Sequence, residues 1–207
     1  MRAFIYTGGT VYADGVAERP EEGDLVIAAD AGYRTAEAFG ILPSVLLGDF
    51  DSLGEPTVPD GCELIRVPAE KDLTDTQLAV ACAVERGARE LVIVGGLEGR
   101  LDHTLSNLSI LEDLKVKGIH AVATDGVNRV HFLDSSSILI PRSHYKYLSI
   151  VAVSDKLKGV DIEGCKYSLK NACIKRCFQY AVSNEIEGNC ALISIKKGKA
   201  FIVESAQ

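Results

Sequence analysis

The chain has 207 residues, 47% of them hydrophobic and 25% charged, with a net charge of -7, an ordinary balance for a soluble globular protein able to bury a sizeable core. No apolar run approaches the ~20 residues that cross a bilayer, and the opening "MRAFIYTGG" is too short an apolar segment for a signal peptide. The six cysteines (62, 82, 165, 173, 177 and 190) include no CxxC pair, so the reading is a cytoplasmic chain with free thiols.

Residues 1–125 alternate strand-like and helix-like segments. Strands are expected at 3–7, 24–30, 44–49, 62–67, 90–96 and 119–124, most of them continuously apolar, as in a parallel sheet covered on both faces. Helices are expected at 32–40, 74–87 and 102–118. The second opens on a capping box, Thr74 with Gln77, and stops at Gly87. The third carries leucines at 101, 105, 108, 111 and 114, read as one buried face. This pattern predicts a doubly wound, mostly parallel α/β domain.

Beyond 126 the texture changes to short segments ("VHFLD", "SILIP", "YLSIVAV", "ACIKRCFQYAV", "CALISIKK", "AFIVES") separated by Gly, Asn, Asp and Ser. That pattern predicts an all-β sandwich over 126–207. Charge divides at the same place. Residues 1–126 carry 10 Lys+Arg and 22 Asp+Glu, whereas 127–207 carry 12 and 7. The acidic half repels nucleic acid and suits divalent cations.

In open α/β sheets, ligands bind beyond the carboxyl ends of the strands. Four successive predicted strands deliver acids there: Asp30 in "AADAG", Asp49 and Asp51 in "LLGDFDSL", Asp72 and Asp75 in "EKDLTD", and Asp102 in "GGLEGRLDH". Individually, Asp30 reads equally well as a turn former, and Asp75 and Asp102 as helix-start residues. The Asp49–Phe50–Asp51 pair is harder to dismiss. In an extended segment both carboxylates point one way, and such neighbours resist joint ionisation without a cation. Mg²⁺ accepts one or two carboxylates and completes its shell with water and phosphates. Arg100 and Lys71 supply positive charge for phosphates, and "GGLEGR" can form an anion-binding nest. No GxxxxGK[ST] or GxGxxG is present. The residues therefore point to a Mg²⁺-dependent enzyme acting on a nucleotide polyphosphate. A nucleotide hydrolase, or a sensor without turnover, is the rival reading.

Taken together and in order, "AADAG", "LLGDFDSL", "EKDLTDTQLAV" and "GGLEGRLDHTLSNL" resemble the thiamine pyrophosphokinase family, and "SNEIEG" (183–188) resembles that family's thiamine-binding turn. The resemblance implies transfer of the pyrophosphoryl group of ATP to thiamine, giving AMP and thiamine diphosphate. It implies a homodimer with each site between one subunit's α/β domain and the other's sandwich. It implies Mg²⁺ held by Asp49, Asp51 and Asp75, and ATP lined by Asp30, Gly48, Ser52, Lys71, Asp72, Thr74, Arg100 and Asp102. Ser183 and Asn184 would hydrogen-bond thiamine. Asp72 and Asp102 both stand as candidates for the base that takes the thiamine hydroxyl proton. The chain has no tryptophan, so the aromatic that some relatives stack on thiamine has no direct counterpart; Phe201 is the candidate in its place.

Overall fold

The computed structural model describes residues 1–50, 58–68, 70 and 72–206. The chain divides into two compact units, Met1–Gly126 and Val127–Gln207.

Among the described residues of the first unit, six strands form a wholly parallel sheet: β1 (Arg2–Tyr6), β2 (Leu25–Ala29), β3 (Val45–Gly48), β4 (Glu63–Arg66), β5 (Glu90–Val94) and β6 (His120–Thr124). They lie in the order β4-β3-β2-β1-β5-β6. Helices α1 (Gly32–Ala38), α2 (Asp75–Glu85) and α3 (Leu101–Val116) follow β2, β4 and β5. The apolar runs are buried on both faces: Phe4, Tyr6, Leu46 and Val94 belong to one cluster, while Ile5, Ile27, Leu91 and Ile93 on the alternate positions have no exposure. That two-sided burial is why these strands read as unbroken apolar sequence. β4 departs from the rule because it is an edge. Only its two central residues are half-buried, and Glu63 is exposed and pairs with Arg86 at 2.8 Å.

The helix limits follow local chemistry. α2 begins at the expected capping box, and its chain leaves through Gly87 at φ +91°; α3 leaves through Gly118 at φ +70°. Both glycines adopt the left-handed turn that ends helices at little cost. The leucine series of α3 is not a single buried face. Leu111 and Leu114 are 1% and 0% exposed, whereas Leu101 and Leu105 are 69% and 56% exposed. At ~100° per residue, leucines spaced by three precess about 60° per step, so the first and last lie on different sides. The buried stripe is Asn107, Ile110, Leu111 and Leu114.

The second unit is antiparallel throughout. β7 (Asn128–Asp134), β13 (Lys199–Ser205) and β9 (Tyr147–Ala152) form one sheet in the order β7-β13-β9. β8 (Ser137–Pro141), β10 (Lys156–Glu163), β11 (Leu169–Lys175) and β12 (Cys190–Lys197) form the other in the order β11-β10-β12-β8. Leu133, Ile150 and Ile202 of the first meet Leu157, Ile162, Ile174 and Ile193 of the second in one core, the sandwich arrangement. Sequence reading passed over β10, a central strand. Its inward residues Leu157 and Val160 are three apart, because Gly159 (φ +62°) inserts a bulge beneath the aliphatic stem of Lys196. Conversely, the expected strand over 172–182 ends at Lys175. The chain turns there, Phe178 N–H donating to Lys175 O, and Gln179 then bonds the backbone of Ala152 through its side-chain amide.

Candidate active site

The strand order reverses between β1 and β5, and a doubly wound sheet opens its binding crevice at such a point. A cleft of about 370 Å³ lies there. Thr7, Gly8 and Gly9 enter it from the end of β1, Ala29, Asp30 and Ala31 from the end of β2, and Thr74, Asp75 and Thr76 from the start of α2. Gly96, Glu98 and Arg100 follow β5, and His103 and Asn107 come from α3. A larger groove, about 520 Å³, runs between α2 and α3 with aliphatic walls that include Val80, Val84 and Ile110. It lies along helix flanks, has none of the glycine loops, and is away from the strand ends.

Of the expected site residues, Asp30, Thr74, Asp75 and Arg100 line the cleft. Asp30 sits in left-handed backbone (φ +45°), its N–H donating to Leu47 O at 2.8 Å. Non-glycine residues seldom hold that conformation, and it recurs at functional sites. Gly48 does not line the cleft; it lies against Asp30, where a Cβ would come 3.1 Å from the Asp30 Cα. Its part is to let β3 run close beside that turn. Asp75 is the first residue of α2, positioned by the cap. Gln77 N–H donates to Thr74 Oγ1 at 3.2 Å, and Thr74 N–H donates to Gln77 Oε1 at 2.9 Å. Thr74→Ala is expected to cost about 1 kcal/mol, read as a fall in Tm of roughly 2–4 °C.

Arg100 and Asp102 grip each other at the start of α3. Arg100 Nη2 donates to Asp102 Oδ2 at 2.7 Å, and Nε donates to Oδ1 at 3.2 Å. The guanidinium holds the Asp102 carboxyl below the usual carboxylate range, helped by the His103 N–H. Both side chains are largely exposed, so water screens the pair. Asp72 is exposed just before α2, and neither it nor Asp102 lines the cleft.

Asp49 follows β3 and is half-buried, and it too is absent from the cleft lining. The argument from extended backbone does not carry through its neighbour. Phe50 is in left-handed conformation (φ +62°) with its ring buried in the core near the Arg66 guanidinium. Asp51, Ser52 and Lys71 lie outside the described residues.

In the second unit, Ser183 is exposed at φ +57° and its N–H donates to Ser149 Oγ at 3.0 Å. Asn184 is buried, and its amide is largely spent on the chain itself. Oδ1 accepts from Tyr167 N–H (2.9 Å) and Glu185 N–H (3.0 Å), while Nδ2 donates to Tyr167 O (2.8 Å). One amide proton remains of its four hydrogen-bonding places, so Asn184 chiefly holds the turn that presents Ser183. Phe201 is half-buried, edge-on to Phe132 with centroids 5.4 Å apart.

Thr7, Thr76, His103 and Asn107 line the cleft without having been singled out from the sequence. "YTGGT" was a weak sign of the first. Asn107 had a better one: a polar residue four and seven positions before Leu111 and Leu114 on the buried stripe of α3.

The family model for the thiamin pyrophosphokinase catalytic domain matches residues 17–123, and the model for the thiamin pyrophosphokinase vitamin B1 binding domain matches residues 135–200. Thiamine pyrophosphokinase of Bacillus subtilis is 30% identical over 190 residues, 89% of either chain. The crystal structure of thiamine pyrophosphokinase from Bacillus subtilis aligns with a TM-score of 0.88 at 26% identity, over 100% of both chains. That of thiamin pyrophosphokinase from Geobacillus thermodenitrificans gives 0.83 at 27% identity, over 100% of this chain and 98% of the other. Sequence and fold agree, and the chain belongs to the thiamin pyrophosphokinase family.

Proposed function

We propose that the cleft between the ends of β1 and β5 holds the polyphosphate of ATP with Mg²⁺, and that ATP is the donor from which this chain makes thiamine diphosphate. Conversion of thiamine to thiamine diphosphate is the reaction of its family. The observation that carries the donor assignment is the meeting of two glycine loops, Asp30, Asp75 and Arg100 around one cleft.

The thiamine hydroxyl attacks the β-phosphorus, the bond from that phosphorus to the oxygen of the α-phosphate breaks, and AMP leaves. Such transfers depend on alignment and charge neutralisation, with little covalent work for the protein. Asp75, in the cleft lining, and Asp49, which follows β3 outside it, are the hard oxygen donors proposed for an ion that otherwise prefers water and phosphate. Asp51 is proposed as their third partner. When bound, Mg²⁺ neutralises phosphate charge and favours the in-line geometry. Arg100, released from Asp102, pairs with phosphate oxygens. Asp72 and Asp102 remain the candidates for the base. With its carboxyl held low by Arg100, Asp102 becomes the stronger base only once Arg100 has turned to the nucleotide.

Ser183 and Asn184 belong to the other unit, where Asn184 shapes the turn and Ser183 meets thiamine. We assign the active form as a cytoplasmic homodimer that joins one subunit's cleft to its partner's turn. Among the described residues no helix is long and apolar enough to cross a membrane.

Incubation with ATP, Mg²⁺ and thiamine, followed by anion-exchange chromatography, is expected to yield AMP and thiamine diphosphate in equal amounts. ADP with thiamine monophosphate would mean ordinary kinase chemistry. ADP and phosphate without a thiamine product would mean nucleotide hydrolysis. Either result rejects the reading.

A further inference from the structure

Beneath the cleft lies a set of buried polar side chains that never ionise and that the transfer reaction does not use. Thr35, on α1 and 8% exposed, donates from Oγ1 to Thr7 O at 3.0 Å. Asn107, on α3 and 6% exposed, donates from Nδ2 to Gly96 O at 2.9 Å. Gly8 O accepts from Gly96 N–H at 3.1 Å, which ties the loop after β1 to the loop after β5. Three carbonyl oxygens at the cleft floor, those of Thr7, Gly8 and Gly96, are thus each drawn to a donor within the protein.

This matters because the proposed ligand is a polyphosphate. A carbonyl oxygen turned toward phosphate repels it, and a peptide plane turned the other way offers its N–H. Glycine loops choose their own orientation poorly, since glycine has the widest conformational freedom. Gly96 sits at φ +70°, and a Cβ there would fall 2.4 Å from Asn107 Nδ2. The amide of Asn107 therefore occupies the space a side chain would need. Thr35 is delivered just as closely: Gly32 lets the start of α1 press onto Tyr6 O, and Thr35 follows one turn later.

We propose that Thr35 and Asn107 are positioning residues of the nucleotide site, which hold the carbonyls of Thr7 and Gly96 away from the phosphates. The proposal rests on the assignment of ATP to this cleft. Neither residue need touch the ligand for its effect, and Thr35 is not among the residues that line the cleft.

Thr35 gives the cleaner test, because valine keeps its shape without the hydroxyl and serine keeps the hydroxyl. Thr35→Val is expected to raise KM for ATP roughly tenfold or more, with KM for thiamine within about twofold of the parent. Equilibrium dialysis with ATP and Mg²⁺ should show the same loss of affinity without any turnover. Thr35→Ser should restore both values to within about threefold. Asn107→Leu should reproduce the Thr35→Val pattern from the other loop. If Thr35→Val lowers Tm but leaves ATP affinity and KM at parental values, its role is packing alone and the proposal fails while the ATP assignment stands. An equal shift of the ATP and thiamine constants also overturns it. If the parent enzyme itself binds no ATP, both readings fall together.

Discussion

Asp75→Asn is expected to lower kcat/KM for ATP by roughly 10²–10³-fold, with Tm within about 4 °C of the parent. The substitution keeps the shape of the side chain and removes its charge. Asp75 is half-buried at the first turn of α2 and belongs to no core cluster, so on the proposed assignment its loss removes a metal ligand and not packing. The helix start keeps its capping box through Thr74 and Gln77, whose bonds do not involve Asp75. Some stabilisation of the helix dipole disappears, a contribution of about 1 kcal/mol at this half-buried position. The deficit should be partly relieved by raising Mg²⁺, since a weakened site is filled by mass action. Asp49→Asn should behave alike. Parental rates in either variant, measured at low millimolar Mg²⁺, would remove that carboxylate from the metal assignment.

Gly32→Ala is expected to destabilise the first unit by about 3 kcal/mol, a fall in Tm of roughly 6–12 °C, and to reduce activity further than the loss of folded protein explains. A Cβ at this position would stand 2.0 Å from Tyr6 O and 2.8 Å from the Thr7 Cα. Both are backbone atoms, at the last residue of β1 and the first of the loop after it, so neither can rotate aside as a side chain would. α1 must instead shift off β1, carrying Thr35 away from Thr7 O and distorting the loop at Thr7–Gly9. Gly188→Ala serves as the control, because the nearest atom to its Cβ is the carbonyl oxygen of Cys190 at 3.9 Å. It should be close to neutral. Thermal unfolding and kcat of the folded fraction measure the two parts; a Gly32→Ala protein with unchanged Tm would mean that helix and strand approach less tightly than the structure shows.

These expectations rest on features of unequal visibility in the sequence. The parallel sheet was legible because burial on both faces leaves a long apolar run with nothing polar to interrupt it, as in β1, β2 and β5. α2 was legible from its cap and terminal glycine, which are local devices. β10 was obscured because a bulge shifts the inward period from two to three, and only pairing with β11 and β12 reveals why. The leucines of α3 misled for a related reason: apolar character marks what a helix can bury, and the neighbouring elements decide which residues are covered. Leu101 and Leu105 remain exposed beside a buried Asn107.

The candidate site divides along the same line. That acids and glycine turns follow successive strands was plain from the order of residues, because a strand's end and the loop after it are contiguous in the chain. Which of them meet was decided by the strand order, which places β5 beside β1 and so brings Gly96 and Arg100 to Thr7, Gly8 and Asp30. Contact between loops some ninety residues apart is a property of the assembled sheet, and no local spacing encodes it. The left-handed backbone at Asp30, Phe50 and Ser183 is of this kind too: a single residue does not choose so costly a conformation by itself, and only the surrounding packing and hydrogen bonds hold it there.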